Sequence, residues 1–256
     1  MGSSDEFLGK KVFFVQPNSV IQKEMVAELI RQEFEVLLVT DVSHAKGLFA
    51  RFPDCLAFLN IDDGLSEHEW EEFVRDIQSD PALAGVKLGI LTYNADPALA
   101  RKYLMDHSVP CGYVKLSLGL SESTAIVLKV LEANEAKGRR RYLRVPCRDN
   151  AKLNWKSNES VLEGRILDIS SVGMSCVFQS QHEIAAHSVL TSLQLQLKGS
   201  LCLVNGIVMG SRLLEDGSAR AYVVLFDPKM PPVQREKIRA YIQWALQASV
   251  EEEIRA

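Results

Sequence analysis

The sequence predicts a chain of two halves. An α/β half, built on a five-stranded, doubly wound parallel sheet, precedes an all-β half of about six antiparallel strands with a C-terminal helix. Three observations carry this. Up to residue 136, short apolar runs without polar alternation are separated by segments of helical period. From Val145 onward, apolar residues recur at every second position. The charge also changes sign. Residues 1–136 hold 12 Lys and Arg against 21 Asp and Glu, a balance of −9, whereas residues 137–256 hold 17 against 12, a balance of +5. The change falls at Lys137-Gly138-Arg139-Arg140-Arg141-Tyr142-Leu143-Arg144. The expected domains are therefore 1–136 and 137–256, with 137–148 as an arginine-bearing linker.

In the first half, Val12-Phe13-Phe14-Val15 is an apolar run short enough for a buried strand, and Val20 to Arg31 follows with Ile21, Met25, Leu29 and Ile30 at helical spacing. Glu35–Val39, Cys55–Leu59, Val86–Leu91 and Gly112–Val114 read as the remaining strands. The intervening helices are expected at Ser43–Phe52, Ser66–Ile77, Pro97–Met105 and Ser121–Ala136. Ser66 is placed to cap its helix with Glu69 as capping-box partner, and Pro97 suits a first helical turn.

Five such units resemble the receiver domain of bacterial response regulators. Thr92, just after the fourth strand, stands where receivers carry a hydroxyl that bonds the phosphoryl group. Lys115, after the fifth strand, stands where they carry a lysine that pairs with it. The remaining positions depart. Where receivers have an acidic pair for magnesium, this chain has Gln16-Pro17-Asn18, and the phospho-acceptor position aligns with Leu59 or Asn60. Asp62 and Asp63 follow two and three residues after Asn60, so Asp62 would need a slipped register to serve. Without a metal nothing neutralises the charge of phosphoryl transfer, so a degenerate receiver is expected, working by packing or by forming a homodimer.

In the second half, Ala151–Trp155, Val161–Ile169, Gly173–Phe178, Leu190–Leu197, Leu201–Val208 and Ala219–Phe226 alternate apolar and polar residues, with turn signals at Lys198-Gly199 and Asp216-Gly217. Short, evenly spaced, alternating strands indicate an antiparallel sandwich or barrel. Pro231-Pro232 opens a helix over 231–254, whose apolar stripe of Ile238, Tyr241, Ile242, Ala245, Leu246 and Val250 is expected to cover the open end of the strands. Glu251-Glu252-Glu253 reads as a solvated tail.

Two motifs here carry chemistry. Arg140-Arg141-Tyr142-Leu143-Arg144 is an RxxxR element preceded by Arg139, and Asp168-Ile169-Ser170-Ser171-Val172-Gly173 is a DxSxxG element. Alone, the first reads as a solvated linker or a nonspecific polyanion patch, and the second as a capped turn. Together, in this order on an all-β pattern, they resemble the PilZ domain, the bacterial receptor of cyclic di-GMP. The resemblance implies a six-stranded antiparallel barrel with a C-terminal helix, and no catalysis. It implies that Arg140 and Arg144 grip the ligand, that Asp168 accepts from a guanine edge, that Ser170 adds a hydroxyl contact and that Gly173 leaves room for a close approach. A guanidinium suits this ligand because its planar fork matches a phosphate or the O6/N7 edge of guanine. Arg139 resembles the extra arginine of family members that bind an intercalated ligand dimer.

Other chemistries find no support. His44, His68, His107, His182 and His187 show no metal spacing, and the five cysteines (Cys55, Cys111, Cys147, Cys176, Cys202) show no paired spacing, so neither a metal site nor a disulfide framework is expected. Cys147, close to the arginines, reads as a small apolar residue of the first strand. Met1 to Glu6 lacks a basic stretch and an apolar core, and no apolar run of 18 residues exists, so a cytoplasmic protein with neither leader nor membrane span is expected. The expected function is a bacterial cyclic di-GMP effector signalling to a downstream protein that the sequence does not identify. The alternatives are a phosphorylated response regulator, a basic-linker nucleic-acid binder and a scaffold that binds no nucleotide.

Overall fold

A computed structural model describes residues 9–148, 150–156, 161–179 and 183–255. Met1 to Glu6 and His182, on which two expectations above partly rest, lie outside the described residues. The chain divides into two compact units, one of residues 1–141 and 246–256, the other of residues 142–245.

The first unit is a parallel sheet of β1 (Val12–Val15), β2 (Val36–Val39), β3 (Leu56–Asn60), β4 (Lys87–Thr92) and β5 (Tyr113–Lys115), in the order β2-β1-β3-β4-β5. This doubly wound order is the one shared by flavodoxins and receivers. Every residue of β1 and β3 is buried, which is why neither strand alternates. Phe14 stacks on Phe58 at 5.3 Å between ring centres, and Gly89 on β4 makes room for that pair: a Cβ there would lie 2.8 Å from the Phe58 ring. The helices are α1 (Val26–Arg31), α2 (Ala45–Arg51), α3 (Glu67–Ser79), α4 (Pro97–Arg101) and α5 (Leu120–Ala133).

Two of the helices expected to be regular are not. Ile21–Met25 and Lys102–Asp106 are wide turns in which the amide of Val26 bonds the carbonyl of Ile21, and that of His107 the carbonyl of Lys102. The first buries both Ile21 and Met25, and the second buries Tyr103. Apolar spacing alone does not separate such a turn from an α-helical one.

The Ser66–Glu69 capping box forms. Ser66 Oγ accepts from the Glu69 amide at 3.4 Å, and Glu69 Oε2 accepts from the Ser66 amide at 2.8 Å. The outer flank of β2 is met by the side-chain amide of Gln247, which accepts from the Leu38 N–H at 2.9 Å and donates to the Leu38 carbonyl at 3.0 Å. Gln247 thus replaces one residue pair of a missing neighbouring strand.

In the second unit, β7 (Ala151–Lys156), β8 (Val161–Ser170), β9 (Gly173–Phe178), β10 (Val189–Leu197), β11 (Ser200–Leu213) and β12 (Arg220–Phe226) pair antiparallel in the order β8-β7-β10-β11-β12-β9. The β8–β9 pairing closes them into a six-stranded barrel, which resolves the choice between sandwich and barrel. Alternation holds, with one break. Leu190 and Leu193 are both buried although three positions apart, because a bulge inserts a residue there; Ser192 takes φ 54° and its amide donates to Asn205 Oδ1 at 2.8 Å.

The structure adds one strand, β6 (Arg144–Pro146), paired with Asp168–Ser170 of β8. Three residues are too few to show a period, and Pro146, which cannot donate, is tolerated because the strand lies at an edge. The C-terminal helix α6 (Pro232–Arg255) contributes to both units. In the barrel unit Ile238, Tyr241 and Ile242 are buried, Lys237 Nζ donates to the Leu201 carbonyl at 2.8 Å, and Lys198 stands 4.3 Å from the Trp244 ring centre. Leu246, Gln247 and Val250 group instead with the first unit, so the apolar stripe does not serve the barrel alone. The acidic tail is not merely solvated either: Glu253 pairs with Arg51 of the first unit.

Replacing Ser66 with Ala removes the cap oxygen of α3. The expected cost is about 1 kcal/mol, read as a lower midpoint in urea denaturation with an unchanged slope.

Candidate functional site

β8 and β9 form a hairpin whose turn is Ser171-Val172, with Ser170 opposite Gly173. Ser170 is buried. Its hydroxyl donates to the Gly173 carbonyl at 3.1 Å and accepts from the Val172 amide at 3.4 Å, so the motif serine closes its own turn. Gly173 starts β9 without a positive φ. Its lack of a Cβ is required by the neighbouring strand, since a Cβ would sit 2.6 Å from the Val224 carbonyl oxygen.

Asp168 lies two residues before Ser170, where β8 passes from β7 to β6. Residues Lys152–Lys156 of β7 pair with Val161–Arg165, and Arg144–Pro146 of β6 pair with Asp168–Ser170, so two short strands follow one another along the same flank of β8. The amide of Cys147 extends the second ladder by bonding the Leu167 carbonyl at 2.7 Å. Arg144 thereby stands opposite Ser170, with its Nε 3.4 Å from Asp168 Oδ1. That oxygen is buried and has no hydrogen-bond donor among the described residues. A half-buried carboxylate with a poorly satisfied oxygen, beside an exposed guanidinium, offers both acceptors and donors to one planar ligand.

Arg139, Arg140 and Arg141 are exposed and lie outside helix and strand. The division between the units falls just after them, between Arg141 and Tyr142. Within the barrel unit the structure therefore brings together Arg144, Asp168, Ser170 and Gly173. Arg139 and Arg140 belong to the end of the first unit.

A cluster missed by the sequence reading lies beside β6. Cys147, half-buried, lies near Tyr241, whose hydroxyl donates to Asn150 Oδ1 at 3.0 Å. Burial pushes the Cys147 thiol up to about 11. Cys55 and Cys176 are pushed up to about 12 and Cys111 to about 11, again chiefly by burial. No signal in a single sequence links Cys147, Asn150 and Tyr241, because the third is 91 residues from the second.

The receiver-like position has its own arrangement. Asn60 ends β3 and donates to the Gln16 carbonyl at 2.8 Å, while Asn18 is taken up in accepting from the amides of Val20 and Ile21. Asp62 accepts from the Thr92 hydroxyl and from the Tyr93 amide, the latter at 2.8 Å. The carboxylate thus reaches Thr92 without lying in β3, a contact the strand register alone did not reveal. Lys115 closes β5. Among the described residues no group of three His, Cys, Asp or Glu stands together as a metal site, and no helix is long and apolar enough to cross a membrane.

Residues 138–244 match the family model of the PilZ domain. Among solved structures, the PilZ domain with c-di-GMP of YcgR from Escherichia coli is 14% identical over 45% of this chain and 96% of its own, with a TM-score of 0.37. The K. pneumonia MrkH–c-di-GMP complex is 15% identical over 45% of this chain and 57% of its own, with a TM-score of 0.40. This chain thus spans just over half the length of that relative. A signal receiver domain of a histidine kinase from Clostridium thermocellum is 17% identical over 48% of this chain and 98% of its own, also with a TM-score of 0.40. The search of curated proteins finds no match.

Two predictions follow from the geometry around the hairpin. Gly173→Ala forces a methyl into the Val224 carbonyl, and an overpacked strand pair of this kind loses roughly 1–3 kcal/mol, measurable as a lower melting temperature. Cys147 is half-buried while the other four cysteines are buried, so it is expected to be labelled first by a disulfide reagent in the native protein. With its thiol near 11, its rate at neutral pH is slow and rises about tenfold per pH unit until that value is approached. A fast reaction at neutral pH overturns that assignment.

Proposed function

We propose that this chain, whose residues 138–244 carry a PilZ domain, is a cyclic di-GMP-binding effector and not an enzyme. The observation that carries the reading is the ion pair of Arg144 with Asp168, held by the β6–β8 ladder on the hairpin of the DxSxxG motif. Arg140 and Arg144 supply guanidinium forks for the ligand phosphates and purine edges. Asp168 accepts from guanine N1–H and N2–H₂. Ser170 and Gly173 shape the turn beneath them. Arg139 serves a second ligand molecule stacked on the first.

Arg139, Arg140 and Arg141 are exposed, lie outside helix and strand, and carry charge of one sign. A ligand with two phosphodiesters would neutralise them and draw them onto the barrel unit. Because Arg139–Arg141 belong to the end of the first unit, that movement would reorient the receiver-like half and present a changed surface to a downstream protein.

Isothermal titration with cyclic di-GMP tests the reading. The expected result is saturable binding to the full chain at two ligands per chain. Arg140→Ala and Asp168→Ala should each weaken it at least tenfold, about 1.4 kcal/mol or more, as for a lost hydrogen bond to a charged group. No binding by the unchanged protein overturns the reading. Affinity for arbitrary oligonucleotides that falls steeply with salt, without preference for cyclic di-GMP, moves the function to nucleic acid. Small-angle scattering that is identical with and without ligand removes the reorientation.

A further inference from the structure

Three neighbouring strands of the barrel turn an uncharged, aliphatic face to water. Val189 on β10, Ile207 on β11 and Leu225 on β12 stand directly opposite one another across the ladders and form one row. Their exposures are 61%, 41% and 42%. Met209 and Val223 extend the row towards one end of the face, and Leu201 and Leu203 towards the other, all seven side chains being exposed. Between them stand only amides and hydroxyls: Gln194 opposite Leu203, Gln196 opposite Leu201, and Thr191 and Asn205. Not one Asp, Glu, Lys or Arg occurs in Val189–Leu197, Ser200–Ser211 or Ala221–Phe226, in a protein that is 24% charged.

A face of this kind is not a chance scatter of single leucines, which any surface carries. The band is staggered: β10 pairs with residues 200–207 of β11 and β12 with residues 206–213, so all three strands overlap only at Gly206 and Ile207. Seven exposed aliphatic side chains in one band are on the order of the 300–600 Å² that the largest apolar patch of a typical monomer reaches, a patch that is often functional.

We propose that this face is where two copies of the chain pair, barrel against barrel. The argument for a second copy rests on charge. A two-fold contact sets each residue against residues of the same patch, so any charge near the axis meets its like. The three strand segments contain none; the Lys237 ammonium at the Leu201 carbonyl and Lys152 opposite Gln196 stand at the margin, away from the Val189–Ile207–Leu225 row. The amides of the face provide the polar rim that homodimer interfaces carry around an apolar centre. The strands lie within a closed barrel, so the contact is sheet face on sheet face and not an edge pairing. This places the homodimer contact on the barrel rather than on the receiver-like half, and it does not depend on cyclic di-GMP.

Sedimentation velocity of the full chain, from micromolar to near-millimolar concentration, gives the test. A dimer is expected. Ile207→Lys and Leu225→Lys, singly and together, should raise its dissociation constant at least tenfold each. The double variant Ile207→Ser and Leu225→Ser should weaken it as well, and serves if the lysines impair folding. Far-ultraviolet dichroism and melting temperature should hold, because these side chains already face water. Met105→Lys, on an exposed apolar residue of the first unit, should leave the dimer intact. The proposal is overturned by an unchanged protein that stays monomeric throughout. It is equally overturned by a dimer indifferent to residues 207 and 225 but lost on Met105→Lys, or by a monomer that instead sediments with phosphatidylcholine vesicles.

Discussion

The pairing of β8 with β9 is the contact on which the barrel unit depends. Without it the six strands form an open sheet with two unpaired edges, and the inward row of Leu153, Ile166, Met174, Cys176, Leu195 and Val204 faces solvent on one side. With it, the sheet closes and the core is enclosed. The same hairpin carries the second motif. Ser170 bonds its own turn, and Gly173 passes against the Val224 carbonyl, so two of the motif's conspicuous residues are demanded by closure before any ligand is considered. Asp168 is different. Its carboxylate serves no turn and closes no strand pair, and one of its oxygens is buried without a donor among the described residues. An acceptor kept in that condition is costly to the fold.

How far the sequence could be read depended on how many residues each feature used. The parallel strands were legible because burial on both faces removes all polar alternation, as in Val12–Val15 and Leu56–Asn60. The α3 cap was legible because its chemistry is local, Ser66 to Glu69. The bulge at Ser192 lay partly open to inspection, in the three-residue spacing of Leu190 and Leu193, and the strict alternation of the following residues hid it. β6 was not legible: three residues including a proline carry no period. The reach of Asp62 to Thr92 and of Tyr241 to Cys147 were not legible either, since both depend on where separate elements lie in space. The arginine segment was conspicuous by composition, but which arginine joins the hairpin followed only from the pairing of Arg144 with Ser170.

In the first unit the amides after β1 serve the packing. Gln16 and Asn18 stand where acids would hold a metal, and both are occupied structurally: Gln16 donates to the Thr40 carbonyl, Asn18 caps the next turn. The sheet retains its aromatic stack, and its exposed flank at β2 is guarded by an amide from the far end of the chain. That flank is where an added strand would otherwise pair, so Gln247 works against aggregation as much as for stability.

The end-to-end arrangement of β6 and β7 along β8 has a consequence for how the barrel unit can breathe. Stripping β6 away breaks three residue pairs, one of them through a proline that contributes no donor, and leaves all six barrel strands joined. The segment is thus a flap on a finished wall: lifting it would expose the buried Val145 but leave the six barrel strands paired. Regions that respond to small ligands are drawn from such low-cost openings, and hydrogen exchange there is set by local release rather than by global stability. Of the conspicuous residues of the barrel unit, Arg144 is the one carried by that flap. The charge that meets Asp168 therefore rides on the part of the wall whose removal leaves the rest standing.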